Sequence, residues 1–285
     1  MRKILIPTDF SKNATNAILF AVNLFKYETT EFYIMHAYQD DIYANESLLT
    51  KNNIEAVTVD VSKNSEDQLK ITLRDIQAIS PNPRHTFYSV SANNILIEEA
   101  DKIVDDKNID IIIMGTKGKT NSKKITFGSH TLQLLKYVQC PVLAIPEGYK
   151  YTQPKHVLFP TNYLIPYKRR ELKLLCEMVS PYRAVIDVLY LSQTEKLSMR
   201  QQDNQNFIEE VLCKNVINFK IENSKHIINS IYKYINKNHV DMLVMVNTRH
   251  SFLENILFQS TTIDALSLNL DIPFLALQNM KRSSI

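Results

Sequence analysis

The chain has 285 residues, enough for one or two domains that each bury a core. Its apolar fraction of 45% and charged fraction of 22% are ordinary for a soluble globular protein, and no apolar run approaches membrane-spanning length. A net charge of +3 is too small to argue for nucleic acid or an anionic membrane surface as partner.

Taken in order, the chain alternates strands and helices. Lys3 to Pro7 is a short apolar strand that begins directly, with no room for a signal peptide. Thr8-Asp9-Phe10-Ser11 is a turn, and Asn13 to Tyr27 carries Ala17, Phe20, Ala21 and Leu24 at helical spacing. Glu31 to Ala37 is a second strand, and His36 at its end is assigned no role. Asp40 to Val61 shows no clear pattern and is expected to be a loop with short helical pieces. Ser65 to Ile79 is a helix with Leu69, Leu73 and Ile76 inward, ended by Ser80-Pro81-Asn82-Pro83. His85 to Val90 alternates like a strand, and Asn94 to Lys107 is an amphipathic helix. Ile109 to Met114 is long enough for one buried strand, Thr131 to Val138 is a helix, and Cys140 to Pro146 is a last strand with prolines that suit a sheet edge. Such alternation means a parallel sheet covered on both faces. The cysteines Cys140, Cys176 and Cys213 are widely spaced and odd in number, which reads as reduced residues in a cytosolic protein. No Cys/His cluster has metal-ligand spacing.

The stretch from Met114 to Thr131 reads M-G-T-K-G-K-T-N-S-K-K-I-T-F-G-S-H-T. The chain has only four glycines, and Gly115, Gly118 and Gly128 all fall here, between a strand and a helix. Gly115 and Gly118 would let backbone N–H groups approach an anion. Gly128 and Ser129 open a helix whose N-terminus favours phosphate. Lys117, Lys119, Lys123 and Lys124 add positive charge. Gly118-Lys119-Thr120 looks like the end of a Walker A loop, but the required earlier glycine is Ile113, which excludes that reading.

The spacing G-x2-G-x9-G-S on this strand resembles the nucleotide-binding signature of the universal stress protein family. The strand–Asp9–helix opening resembles it too. The resemblance implies ATP as ligand, with or without magnesium on its phosphates. It implies a site made of Asp9, Ala37, Met114, Gly115, Lys117, Gly118, Gly128, Ser129, His130 and Thr131. Asp9 would meet ribose or a metal-bound phosphate; it lies at a strand's carboxyl end, where open α/β sheets bind ligands. A plain role in capping the following helix, shared with Ser11, is equally open. The glycine amides, Ser129 and Thr131 would hold phosphates, and Ala37 and Met114 would flank the base. Lys117 stands where a neutral side chain is common in the family.

The first half returns in the second, after a linker at Glu147 to Pro154. Ile4 to Phe10 recurs as Val157 to Tyr163, Asp110 to Met114 as Asp241 to Met245, Phe127 to Thr131 as Phe258 to Thr262, and Pro141 to Ile145 as Pro273 to Leu277. The chemistry does not return. Asp9 becomes Asn162, and the three glycines become Val246, Arg249 and Gln259. One nucleotide site, in the first half, is therefore expected; Arg249 and His250 read as solvated loop residues, with a further anion site as the alternative. The expected architecture is α/β: two tandem, open, five-stranded, parallel-sheet domains of Rossmann-like, adenine-nucleotide alpha-hydrolase-like type, over 1–147 and 154–280. By the resemblance they pack as an intramolecular pseudo-dimer, with or without further pairing into a homodimer. Strands 142–145 and 274–277 are the natural contact, since each is otherwise an open edge.

Three functions compete. The first is a cytoplasmic ATP-binding regulatory protein with no nucleic acid or membrane partner. The second is a slow ATPase or nucleotidyl transferase, against which stands the lack of a carboxylate between Gly115 and Thr131. The third is a module whose second half binds a non-nucleotide ligand or a protein.

Overall fold

The structure, a computed structural model, describes residues 1–43, 54–117, 127–192, 196–212, 214–224, 226–247 and 270–279. In the first half, β1 (Arg2–Pro7), α1 (Lys12–Leu24), β2 (Thr30–Ala37), α2 (Gln39–Tyr43), α3 (Ile54–Ile79), β3 (His85–Ala92), α4 (Leu96–Lys107), β4 (Ile111–Gly115), α5 (Ser129–Tyr137) and β5 (Val142–Ile145) follow one another. In the second come β6 (His156–Thr161), α6 (Arg169–Val179), β7 (Val185–Ser192), α7 (Met199–Val211), β8 (Val216–Asn223), α8 (Ile227–Asn238), β9 (Met242–Asn247) and β10 (Phe274–Gln278).

The described strands form one ten-stranded sheet in the order β3-β2-β1-β4-β5-β10-β9-β6-β7-β8. The second half of that order mirrors the first. Every neighbouring pair is parallel except β5 and β10, which run antiparallel with Leu143 opposite Leu275. The strand pairing expected between 142–145 and 274–277 is therefore present. Pro141 and Pro146 lie just outside β5, and β5 is an interior strand of the joined sheet, not an open edge.

Period-two alternation sends side chains to two core layers. Ile4, Ile6, Ile111, Ile113, Leu143 and Leu275 point to the layer under α1, α3, α6 and α7. Leu5, Ile112, Val142, Ala144, Phe274 and Ala276 point to the layer under α4, α5 and α8. Both layers run unbroken from one half to the other. The stretch 147–154 is packed as well. Tyr149 and Tyr151 lie against Phe20, with ring centroids 6.0 and 5.2 Å away, and the Asn16 amide donates to the Tyr149 carbonyl (2.9 Å). The Tyr182 hydroxyl donates to the Leu24 carbonyl (2.6 Å), and Arg2 pairs with both Glu28 and Glu177.

The main departure from the sequence reading is α3, which starts at Ile54 and not at Ser65. Its inward stripe includes the buried hydroxyl side chain Ser65, so apolar periodicity alone breaks off there. Ser65 is buried because its hydroxyl meets His36 Nδ1 (2.9 Å) and the Ser91 hydroxyl (2.7 Å). Cys140 and Cys176 are buried and are not joined to each other in a disulfide; Cys213 lies outside the described residues.

One polar residue interrupts the apolar β7. Asp187 is 3% exposed, and its carboxylate accepts from Tyr234 (2.7 Å), Asn218 (2.9 Å) and His156 (2.5 Å). Burial pushes its carboxyl up, but these donors outweigh burial and hold it below the usual carboxylate range. The sign follows: a lowered folded-state value stabilises the fold above the ordinary carboxylate pKa, and that stability is lost as pH falls through the folded value. Thermal denaturation followed from neutral to acid pH should show a steeper acid loss for the native chain than for Asp187→Asn. A second expected outcome concerns the seam. Leu275→Ala should lower stability by about 2–5 kcal/mol in chemical denaturation, as for a buried leucine left with a cavity.

Candidate functional site

The crossover from β3 through α4 places β4 on the side of β1 opposite β2. The strand order switches at β1, and the crevice at the carboxyl ends of β1 and β4 is where open α/β sheets take ligands. The turn above β1 is fixed by its own side chains. The Phe10 N–H donates to Thr8 Oγ1 (3.0 Å) and the Ser11 N–H to Asp9 Oδ1 (3.0 Å). Phe10 has φ +60°. Ser11, and not Asp9, caps α1, accepting from the Ala14 N–H (3.1 Å).

The end of β4 is built around Asn13. A Cβ on Gly115 would lie 2.5 Å from Asn13 Nδ2 and 2.8 Å from its Cγ, so glycine is required there by helix packing. Nδ2 donates to the Lys117 carbonyl (2.8 Å), while the buried Asn13 Oδ1 has no hydrogen-bond partner among the described residues. Gly128 is the N-cap of α5 with extended backbone, and its N–H donates to the Thr116 carbonyl (2.7 Å). That amide is thereby engaged within the protein, whereas the reading from sequence has the glycine amides facing phosphate. The Thr131 hydroxyl is likewise turned inward, donating to the Gly115 and Thr116 carbonyls (both 3.2 Å). It ties α5 to β4. At the open end of α5, the Leu132 N–H closes the first turn on the Gly128 carbonyl. Among the described residues, the N–H groups of Ser129, His130 and Thr131 donate to no main-chain carbonyl, as in a helix's first turn.

Ser129 and His130 are exposed at this mouth. His130 Nε2 lies 3.5 Å from Asp40 of α2, so a carboxylate distant in sequence stands beside the site. Lys117 is mostly buried, its ammonium 3.8 Å from Glu147. Ala37 ends β2, and Met114 is buried in the layer under α4 and α5. Gly118, Lys119, Lys123 and Lys124 lie outside the described residues. Asp9, Gly115, Gly128, Ser129, His130 and Thr131 thus belong to one turn-and-helix region across β1 and β4. Sequence reasoning missed Asn13, which reads as one more helix residue, and Asp40, which sits in a stretch without a pattern. It also passed over His36, whose ring packs 4.5 Å from Phe10.

The second half repeats the turn without its acid. The Tyr163 N–H donates to Thr161 Oγ1 (2.9 Å), the Leu164 N–H to Asn162 Oδ1 (3.0 Å), and Tyr163 has φ +55°. Val246 is buried where Gly115 stands in the first half. Arg249, His250, Gln259 and the stretch 258–262 lie outside the described residues. Asn247 and Gln278 are buried and both donate to the Leu135 carbonyl of α5 (2.6 and 3.0 Å), fastening the second half to that helix.

A mostly parallel, open α/β sheet with helices on both faces and a switch point at β1 is a Rossmann-like fold. Residues 1–146 match the model of the Universal stress protein family, and the chain belongs to that family. Universal stress protein MJ0577 of Methanocaldococcus jannaschii is 30% identical over 159 residues, covering 50% of this chain and 94% of that protein. Universal stress protein MJ0531 of the same organism is 28% identical over 149 residues, covering 52% of this chain and 84% of that protein. A solved universal stress protein from Archaeoglobus fulgidus DSM 4304 covers 97% of this chain and 96% of its own, with a TM-score of 0.67 at 15% identity, a likeness of fold alone.

The Asn13 contact gives a stability test. Gly115→Ala should cost about 1–3 kcal/mol, as overpacking does. Adding Asn13→Ala should recover part of that loss in the same denaturation experiment, because the side-chain atoms in the way are then gone.

Proposed function

We propose that the chain is an ATP-binding regulatory protein with one nucleotide site, in its first half. The observation that carries this reading is the start of α5. The first-turn amides of Ser129, His130 and Thr131 stand at the start of α5, beyond the carboxyl end of β4, and Ser129 is exposed there. Aligned N–H groups at a helix start favour phosphate oxygens. In this reading the phosphates lie on the amides of Ser129, His130 and Thr131. Asp9 meets ribose or a metal-bound phosphate, and Ala37 and Met114 lie towards the base. The unsatisfied Asn13 Oδ1 suits a donor such as a ribose hydroxyl. Asp40 and Asp41 bring negative charge to the mouth, which magnesium on the phosphates would offset.

Residues 154–280 form, on this proposal, a degenerate second domain that packs on the first as an intramolecular partner. The protein works in the cytoplasm, and the nucleotide shifts it between states by its differential affinity for them. A slow ATPase is the second reading. It is favoured by the Asp40–His130 contact, which supplies the carboxylate that the loop sequence lacks. Turnover measured with and without magnesium separates the two.

Calorimetric titration with ATP should give one nucleotide per chain. Ser129 is the first helical residue, where proline fits, and the extended Gly128 suits a following proline. Ser129→Pro should therefore remove one amide donor without breaking α5. It should weaken ATP binding roughly tenfold relative to Ser129→Ala, the size of one charge-assisted hydrogen bond. Equal affinities, or two nucleotides per chain, would refute the assignment.

A further inference from the structure

We propose a second binding site, for a small molecule bearing a carboxylate or phosphate group, at the amino ends of β6, β7 and β8. It lies in the second half, several strands away from the α5 mouth across the β5–β10 seam, and it does not depend on the nucleotide reading. An open hollow of about 390 Å³ is lined there by Lys155, His156, Asp187, Asn218, Lys220 and Tyr234, among others. That volume is in the range of small-molecule sites.

Hydrogen bonding accounts for the acid in the hollow. Asp187 takes hydrogens from Tyr234 and Asn218 and faces His156 Nε2. The other ring nitrogen of His156, Nδ1, lies 2.8 Å from the Asn238 carbonyl, an acceptor only. The His156 ring thus lies between a carboxylate and a carbonyl, and with Tyr234 and Asn218 it occupies the Asp187 carboxylate from within the protein. Asp241, close behind, is held by the main-chain N–H groups of Lys155 and His156 (2.9 and 2.8 Å). Of the residues lining the hollow, Asp187 is the one acid. Lys155 and Lys220 make no ion pair among the described residues. Two ammonium groups and the second amide hydrogen of Asn218 are left to meet a ligand, and together they suit an oxyanion.

The first half shows what a merely structural version looks like. Lys3 stands at the position of His156. Its register partner is Glu31, and the Lys3 ammonium lies 3.9 Å from that carboxylate. The Tyr33 hydroxyl also donates to Glu31 (3.0 Å). In the second half the register partner of His156 is Val185, and the acid has moved into the strand interior as Asp187. The rearrangement buries a carboxylate, which is costly unless compensated, and leaves the rim lysines without an ion pair among the described residues, although Glu222 stands close enough to act on Tyr234. Such a departure from the simpler pairing is characteristic of a functional site.

The test follows the ring nitrogens of His156 by NMR in the full chain, with the His156 signals identified by their loss in His156→Gln. Inorganic phosphate and succinate are titrated separately, to tell a phosphate site from a carboxylate site. Each anion that binds should shift the His156 signals with half-saturation below about 10 mM, and Lys155→Ala/Lys220→Ala should weaken that response by roughly tenfold. Phosphate taken up at the α5 mouth would leave these signals in place. His156 signals unmoved by both anions, or a response unchanged in the double variant, would overturn the proposal. Both lysines are exposed, and circular dichroism checks that the double variant keeps its fold; if it does not, Lys155→Gln and Lys220→Gln, each alone, serve instead.

Discussion

The antiparallel pairing of β5 with β10 is the constraint on which the rest of the molecule depends. Each half ends its own sheet with a short apolar strand whose outer edge would be left unpaired. Exposed main-chain donors and acceptors on such an edge invite pairing with another chain. Here each edge satisfies the other, and Leu143 and Leu275 meet at 0% exposure. The antiparallel direction follows from the near two-fold relation between the halves. Because side chains alternate across the seam, both core layers become continuous through the molecule. The outer edges are β3 and β8.

The candidate site inherits its geometry from this frame. Asn247 and Gln278 come from the ends of β9 and β10, yet they hold a carbonyl of α5, and Phe127 before α5 lies 5.6 Å from Phe274. The helix that opens on the crevice is therefore held from its far end by the second half. A preorganised helix start binds an anion better than one that must be ordered on binding. The second half thereby holds the helix that borders the first half's candidate site, even though its own glycine pattern is gone.

The two halves also show which parts of a repeat both copies keep and which differ between them. The Thr-Asp-Phe and Thr-Asn-Tyr turns make the same pair of hydrogen bonds and the same positive φ. Asn108 and His239 end α4 and α8 in the same left-handed conformation, and Asp110 and Asp241 accept from the same positions on β1 and β6. These features make the chain turn correctly, and they persist in both copies. The glycines and the acid of Asp9 occur only in the first. At the other end of the strands the balance is reversed, because the first half carries a plain ion pair and the second a buried carboxylate under three donors.

By itself the sequence determined the alternation of strands and helices, the repeat and its departures, the family, and the region of the candidate site. These are legible because period-two and helical spacing, and glycine where bare backbone is needed, are local properties of the chain. It also pointed to the strands that join the halves, since an unpaired edge is a local fact with a global remedy. Only the tertiary structure decided what each residue touches. Gly115 is small because Asn13 packs on it, the hydrogens of Gly128 and Thr131 turn inward, and Asp40 arrives from another helix. The early turns of α3 were hidden for the same reason: Ser65 is buried through His36 and Ser91, which a hydropathy pattern cannot register. A side chain's partner depends on segments far away in sequence, and those meet only once the sheet has closed at its seam.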